Sequence, residues 1–371
     1  MSTRLTKITL EGFKSIRRLD AFSPDNLSVL IGANGAGKSN LVSFFRALGH
    51  MMSSPSGLQA HLTQTGRAHS WLHDGPTVTA EIRAALEIET DRGKNEYEFG
   101  LEYSAGDRLS FSHERFRFVP AGKAADPRVS LGAGHEESEL RERAERGEPT
   151  PAAIRSMLRR FTVHQFHNTS FTSRMRQAWA VSDGRWLKED GGNLAAFLYR
   201  LKSNEQLAPY YARIVQTIRQ SLPFFGDFEL TPDAQQVMLM WTEVGTDQVF
   251  SAHQASDGML RFLALVALLQ QPTVDLPELL VLDEPELGLH PHAITTLAGL
   301  IKAVSIEKQV LLATQSVTLL NEFDPENIVV VDRQGRESMF RRLDASQLEE
   351  WLSRYSVGEL WEKNVLGGRP A

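Results

Sequence analysis

The stretch Gly32–Asn40, GANGAGKSN, follows the apolar run LSVLI (Leu27–Ile31) and precedes LVSFFRALGH (Leu41–His50). Gly32, Gly37, Lys38 and Ser39 satisfy the spacing G-x-x-x-x-G-K-[ST]. A buried-type strand before and helical apolar spacing after supply the context that turns this pattern into a phosphate-binding loop. The loop residues Asn34, Gly35 and Ala36, with Asn40 after them, are expected to turn backbone N–H groups around the phosphates, where the helix N-terminus adds partial positive charge. Lys38 should reach the β- and γ-phosphates, and the Ser39 hydroxyl should ligate Mg²⁺. The loop therefore predicts a nucleoside triphosphate with Mg²⁺.

Hydrolysis needs a second half-site, and LLVLDEPE (Leu279–Glu286) carries its chemistry. Four apolar residues lead to Asp283 at a strand's C-terminal end, where ligands of an open α/β sheet gather. Asp283 is expected in the Mg²⁺ shell; Glu284 points elsewhere and can orient or deprotonate the attacking water. The two halves lie far apart in the chain, whereas a minimal P-loop GTPase joins them within one or two βα units. An inserted lobe between them suggests an ATP-binding-cassette type head.

Such heads need a third element. SDGMLRFLALVALL (Ser256–Leu269) places Gly258 in the first turn of a helix that is apolar nearly all round, hence buried. Glycine there gives up about 0.5–1 kcal/mol relative to alanine. Close approach of a bulky anion to the helix N-terminus would compensate; plain capping by Ser256 or Asp257 is the alternative. A fourth element, VLLATQS (Val310–Ser316), ends a strand on Ala313 and sets Thr314, Gln315 and Ser316 on the γ-phosphate side.

Composition bounds the rest. Forty Lys+Arg against 46 Asp+Glu exclude a generally basic surface, though not a local basic groove. With no cysteine, disulfides, thiolate zinc sites and cysteine nucleophiles are excluded. MSTRLTKITLEGF begins as a period-2 strand rather than a leader, and the longest apolar run is interrupted by Arg261. A cytoplasmic protein without membrane contact is expected.

The first fifty residues read strand, turn, strand, loop, helix, and residues 51–67 read as a loose, mobile segment. Val78–Val119 alternates with period 2 and predicts an antiparallel sheet. HEESELRERAERGEP reads as a short solvated helix, and Leu194–Leu222 as helical with a break at Pro209. The last third alternates as α/β. The expected division is a discontinuous P-loop core, 1–50 and 225–371, around an inserted β-rich and helical lobe, 51–224. His164 and His167, three apart on a strand, point to opposite faces and predict no metal site. Basic residues in RFRFV (Arg115–Val119), RSMLRR (Arg155–Arg160) and SRMR (Ser173–Arg176) could track a nucleic-acid backbone or form a solvated face.

Taken together, ITLEGFKSI, LIGANGAGKSN, SDGMLRFLAL, LLVLDEPELGLHP and ATQS resemble the RecF/SMC-type branch of ABC ATPases. More closely they resemble a small bacterial family of predicted AAA-family ATPases, related to the ATPase parts of overcoming-lysogenization-defect nucleases and antiphage ATPases. The closing ELWEKNVLGGRP is similar as well. The resemblance implies an α/β ABC-type head with an antiparallel subdomain and a helical lobe. It also implies a homodimer or higher homo-oligomer in which two heads, head to tail, sandwich two ATP molecules. On that carry-over Ser256 and Gly258 contact the γ-phosphate held by the other subunit, Glu284 is the hydrolytic base, and Gln315 occupies the switch position.

Three departures stand out. Many relatives have His where this chain has Gln315, which cannot protonate. The signature reads S-D-G rather than S-G-G, so Asp257 adds negative charge. The candidate for the Mg²⁺-sensing glutamine is Gln165, in VHQFHN. No long coiled coil or zinc hook is present in the sequence, and the residues beyond Ser316 are too few for a Toprim domain, so a chain that does not itself cut nucleic acid is expected. The resulting expectation is an ATP-hydrolysing switch that controls a separate effector such as a Toprim-like nuclease. The alternatives are a RecF-like DNA-binding repair ATPase and a nucleotide-gated scaffold with little turnover.

Overall fold

The computed structural model describes residues 3–368. In chain order, β1 (Arg4–Phe13) and β2 (Ile16–Phe22) precede β3 (Leu27–Ile31) and α1 (Lys38–Ser53). α2 (Gly57–Thr65) leads to β4 (Glu81–Thr90), β5 (Gly93–Ser104), β6 (Arg108–Pro120) and β7 (Val129–Gly132). α3 (Glu139–Glu145) and α4 (Pro149–Leu158) bring the chain to β8 (Phe161–His164). β9 (Trp179–Ala180), α5 (Leu194–Ser203) and α6 (Ala208–Ser221) come next, then the short strands β10 (Phe225–Glu229), β11 (Gln236–Val237), β12 (Met240–Glu243) and β13 (Val249–Ser251). The last third runs α7 (Asp257–Leu269), β14 (Leu279–Asp283), α8 (Pro291–Ser305), β15 (Gln309–Thr314), α9 (Val317–Leu320), β16 (Ile328–Gln334), β17 (Glu337–Arg342), α10 (Glu349–Leu352) and α11 (Val357–Glu362).

Two six-stranded sheets organise these elements. One is antiparallel, in the order β2-β1-β4-β5-β6-β7; the other has the order β17-β16-β3-β15-β14-β8. In the second, β16, β3, β15, β14 and β8 run parallel, and only β17 opposes its neighbour. Its central strands β3, β15 and β14 are apolar at nearly every position because both faces are covered. Val29, Ile31, Leu280, Leu282, Val310 and Leu312 face the core shared with α5 to α8. Leu30, Leu279, Val281, Leu311 and Ala313 face α1 and the antiparallel sheet.

One expectation changes. Residues 51–67 are folded: α1 continues to Ser53 and α2 packs across it, burying Met51, Met52, Leu58 and Leu62. A Cβ on Gly57 would collide with the His50 carbonyl oxygen, so only glycine allows that crossing. The Glu137 carboxylate, distant in sequence, accepts from Leu58 N and Gln59 N at 3.0 Å each and satisfies the start of α2. Hydrogen bonding also runs across residues 50 and 224. β1 pairs with β4 in the antiparallel sheet, and β8 joins β14 in the parallel one. The helical stretch breaks at residues 204–207 as expected, and Pro209 lies in the first turn of α6, where its missing N–H is no cost.

Candidate functional site

Parallel strands put all their C-terminal ends on one rim, and β3, β15, β14 and β8 are consecutive neighbours. The segments that leave them carry Lys38, Gln315, Asp283 with Glu284, and Gln165. This strand order gathers onto one edge residues scattered over most of the chain.

The glycine loop after β3 is buttressed from behind. Ser338 Oγ donates to Ala36 O at 2.6 Å, Arg333 Nη1 donates to Gly35 O at 3.1 Å, and the Asn40 amide donates to Ser15 Oγ at 2.6 Å. Near the chain's end, Gly368 N donates to Asp332 Oδ1 at 2.5 Å, which sets Gly368 against Gly32. Asn34, Gly35 and Ser39 face outward, while Gly32, Ala36, Gly37 and Lys38 are buried. Lys38 Nζ donates to the Gly32 and Ala33 carbonyls at 2.6 and 3.2 Å. Burial pushes this ammonium below its usual range, opposed by Glu284, Asp283 and Glu286.

Those carboxylates stand at the end of β14. Burial pushes the Asp283 carboxyl up, and Glu284 adds to the shift; His167, Arg46 and Lys38 oppose it. Glu284 adopts φ +45°, a left-handed conformation rare for a non-glycine residue, held by a 2.8 Å bond from its N–H to Ala313 O. Its Oε1 accepts from Gln315 Nε2. Glu286 accepts from Thr314 Oγ1 at 2.6 Å, its carboxyl pushed up by burial, and its Oε2 is buried without a partner. Gln165 Nε2 donates to Asp283 Oδ2 at 3.0 Å, and Gln165 Oε1 accepts from Arg46 Nη2 at 3.1 Å.

These residues fit a magnesium nucleotide. Ser39 and Asp283 offer the oxygen ligands a hard cation takes, and Gln165 stands beside them with its Nε2 toward Asp283. Three carboxylates around one buried ammonium leave negative charge that such a cation would balance. Among the described residues no cluster of three or more His, Asp or Glu side chains forms a metal site built from protein alone.

The signature residues sit elsewhere. Ser256 caps α7, its Oγ accepting from Met259 N at 3.2 Å. Ser256 and Gly258 line a cleft of about 240 Å³ with Phe224, Gly288, Leu289 and His290, and no phosphate-loop residue lines it. A Cβ at Gly258 would collide with the Gly288 carbonyl oxygen, so packing within the chain already accounts for this glycine. Asp257 is not an unbalanced charge: its Oδ1 accepts from Arg176 Nη2 at 3.1 Å. Arg176, itself buried, also donates to the Thr169, Ala252 and Ala255 carbonyls. Arg261, one turn along α7, donates to Phe166 O at 3.1 Å, His167 O at 3.0 Å and Leu287 O at 2.7 Å. The signature helix is thus pinned to both the loop after β8 and the turn after β14.

Sequence reading missed Arg46, His167, Arg176 and Glu286. The alternation argument fails for His167 because β8 ends at His164. Beyond the strand, His167 Nε2 lies 3.0 Å from Asp283 O. His164 is buried, its pKa lowered by that burial to about 4. The Glu in DEPE was the one available signal for Glu286. The basic stretches are largely paired: Arg115 with Glu98, Arg117 with Glu96, Arg160 with Glu278, Arg174 with Asp190.

The family described as "AAA domain, putative AbiEii toxin, Type IV TA system" (AAA_21) matches residues 27–321. The chain belongs to that family of P-loop ATPases. No curated protein matches it. An Smc head bound to the C-winged helix domain of ScpA is similar at a TM-score of 0.60 and 16% identity, covering 94% of this chain and 99% of that one. An Smc head with an extended coiled coil, bound to the C-terminal domain of ScpA from Pyrococcus furiosus, gives 0.58 and 15%, covering 95% and 99%. At such identities the likeness shows the fold, an α/β SMC-head-like architecture of the RecF/SMC type. Among the described residues no helix is long and apolar enough to cross a membrane.

Proposed function

We propose that this member of the family is an ATP-driven switch whose two copies close head to tail around Mg²⁺-ATP and whose opening and closing governs a separate effector, such as a nuclease in antiphage defence. One observation carries the reading. The phosphate loop, Asp283, Glu284 and Gln315 share one rim, whereas Ser256, exposed at the head of α7, lies in another cleft. A signature serine turned outward from its own phosphate loop is suited to a phosphate on a second copy.

Within each site the loop N–H groups and Lys38 bind the phosphates, and Ser39, Asp283 and Gln165 would hold Mg²⁺. The bound ion would neutralise charge developing on the phosphate oxygens. Glu284 takes the proton of a water as that water's oxygen bonds to the γ-phosphorus and the bond to the bridging oxygen breaks, giving ADP and phosphate. Gln315 holds the Glu284 carboxylate in place; having no titratable proton, it positions the base and transfers nothing.

The pairing of Asp257 with Arg176 removes one motive for a scaffold without turnover, and the paired arginines give little support to a direct DNA clamp. In the two Smc heads described above the head is bound to a domain of a separate protein, ScpA, which supports a head that acts through a partner. The test is the solution mass of the Glu284→Gln protein by light scattering, with and without Mg²⁺-ATP. A nucleotide-dependent doubling is expected; a mass indifferent to nucleotide would overturn the switch.

A further inference from the structure

Gln165 is held by groups that leave its amide one orientation. The Arg46 guanidinium can only donate, so the atom 3.1 Å from its Nη2 must be the carbonyl oxygen Oε1. The Asp283 carboxylate accepts, so the atom 3.0 Å from its Oδ2 must be Nε2. The second Nε2 hydrogen points to His167 Nδ1 at 3.1 Å, and the same ring's Nε2–H donates to Asp283 O at 3.0 Å. All four bonds agree on one amide orientation and one imidazole tautomer.

That orientation is the wrong one for ligating a cation. A hard divalent ion takes an amide through its oxygen, and here the nitrogen faces Asp283 while the oxygen faces Arg46. To reach an ion on the Asp283 carboxylate, Gln165 must turn its amide end for end. Its Nε2 would then meet the guanidinium, donor against donor, and Arg46 would have to let go. A second acceptor is close at hand: Glu189 Oε2 lies 3.8 Å from Arg46 Nε. Glu189 belongs to the same local structure, since its main-chain carbonyl receives Gln165 N at 3.0 Å.

We propose that Arg46 is a positioning residue, a latch that holds the Gln165 oxygen away from the cation site and passes to Glu189 when a divalent cation binds at Ser39 and Asp283. The inference rests on Gln165 serving as a cation ligand. It gives α1, which begins with Lys38 and Ser39, a direct hold on the loop after β8. Cation affinity is thereby reduced by whatever the Arg46–Gln165 bond contributes.

The experiment uses the full chain with saturating ADP and Mn²⁺ as the probe, free Mn²⁺ being read by electron paramagnetic resonance. Arg46→Met should bind Mn²⁺ about tenfold tighter, a gain on the scale of one charge-assisted hydrogen bond. Part of that gain is removal of a positive charge, so the same substitution is repeated on Gln165→Met, where only the charge effect survives; the gain should shrink there. A gain equally large in both backgrounds, or no gain in the first, overturns the latch. Gln165→Met alone should weaken Mn²⁺ binding; an unchanged affinity would instead overturn the ligand assignment, and the latch with it. If Arg46→Met does not fold, Arg46→Gln, neutral and polar, replaces it in the same comparison.

Discussion

The phosphate-loop half of the site and the signature half are built on opposite principles. At the first, the chain concentrates charge it cannot satisfy alone: a buried ammonium on main-chain carbonyls, Asp283 and Glu286 destabilised by burial, Glu284 in a left-handed backbone. At the second every motif residue has employment inside its own subunit. Ser256 caps a helix, Asp257 pairs with Arg176, and Gly258 admits the Gly288 carbonyl. The contrast teaches that residual strain marks where this chain waits for a ligand, while a motif match does not separate an internal packing role from one offered to a second copy.

The sharpest way to break this contrast is at Lys38. Lys38→Ala should weaken ATP binding by about a hundredfold or more, measured with a fluorescent ATP analogue, since two or more charge-assisted bonds to phosphate are lost. Retained affinity would mean the loop's N–H groups suffice and the buried ammonium is structural. Next in size is turnover: Glu284→Gln should lower kcat by about 10²- to 10⁴-fold with nucleotide binding intact. A smaller loss would move the base elsewhere on the rim.

The signature half predicts a different pattern. Gly258→Ala should destabilise the chain by about 1–3 kcal/mol in chemical unfolding, because its Cβ meets main chain that cannot yield cheaply. Ser256→Arg, at an exposed position, should cost only the N-cap, about 0.5–2 kcal/mol in unfolding, yet abolish nucleotide-dependent dimerisation. If Gly258→Ala is neutral, the packing account of that glycine is wrong.

The smallest effect is the most diagnostic of residual strain. Asp283 has a folded pKa raised by burial, so its ionised form costs stability in full above that pKa, and the cost fades as pH falls from there to the unfolded value of 3.8. Without nucleotide, Asp283→Asn should therefore raise Tm at neutral pH, with the gain disappearing in acid. Equal Tm values across the pH range would show that the carboxylate is not strained.

Much of the molecule is legible in its sequence where local pattern decides structure. Leu27–Lys38 and Leu279–Glu284 carry strand, turn and chemistry within a few residues, and Val78–Val119 alternates plainly. The hidden parts depend on partners remote in sequence. α2 could not be seen because Glu137 caps it and its own apolar pattern is weak. A strand before Gln165 is readable, but β8 is only four residues long, so nothing in Phe161–His164 announces that it joins the parallel sheet beside β14. Arg46 carries no local signal, and Arg176 reads only as part of a basic stretch, until the chain brings main-chain oxygens, an amide or a carboxylate to them.

The neighbours of β3 carry a further consequence. Residues 27–31 lie between β15 and β16, strands from beyond residue 308, and the Gln309 side chain joins the ends again through Leu5 N at 2.6 Å and the Leu5 and Pro24 carbonyls. During synthesis, at about 5–20 residues per second, the phosphate loop leaves the ribosome long before the strands that flank it exist. The antiparallel sheet can assemble first, since β1 to β7 are all made early. The nascent chain therefore carries its phosphate loop without the flanking strands of the site until β15 and β16 have been made.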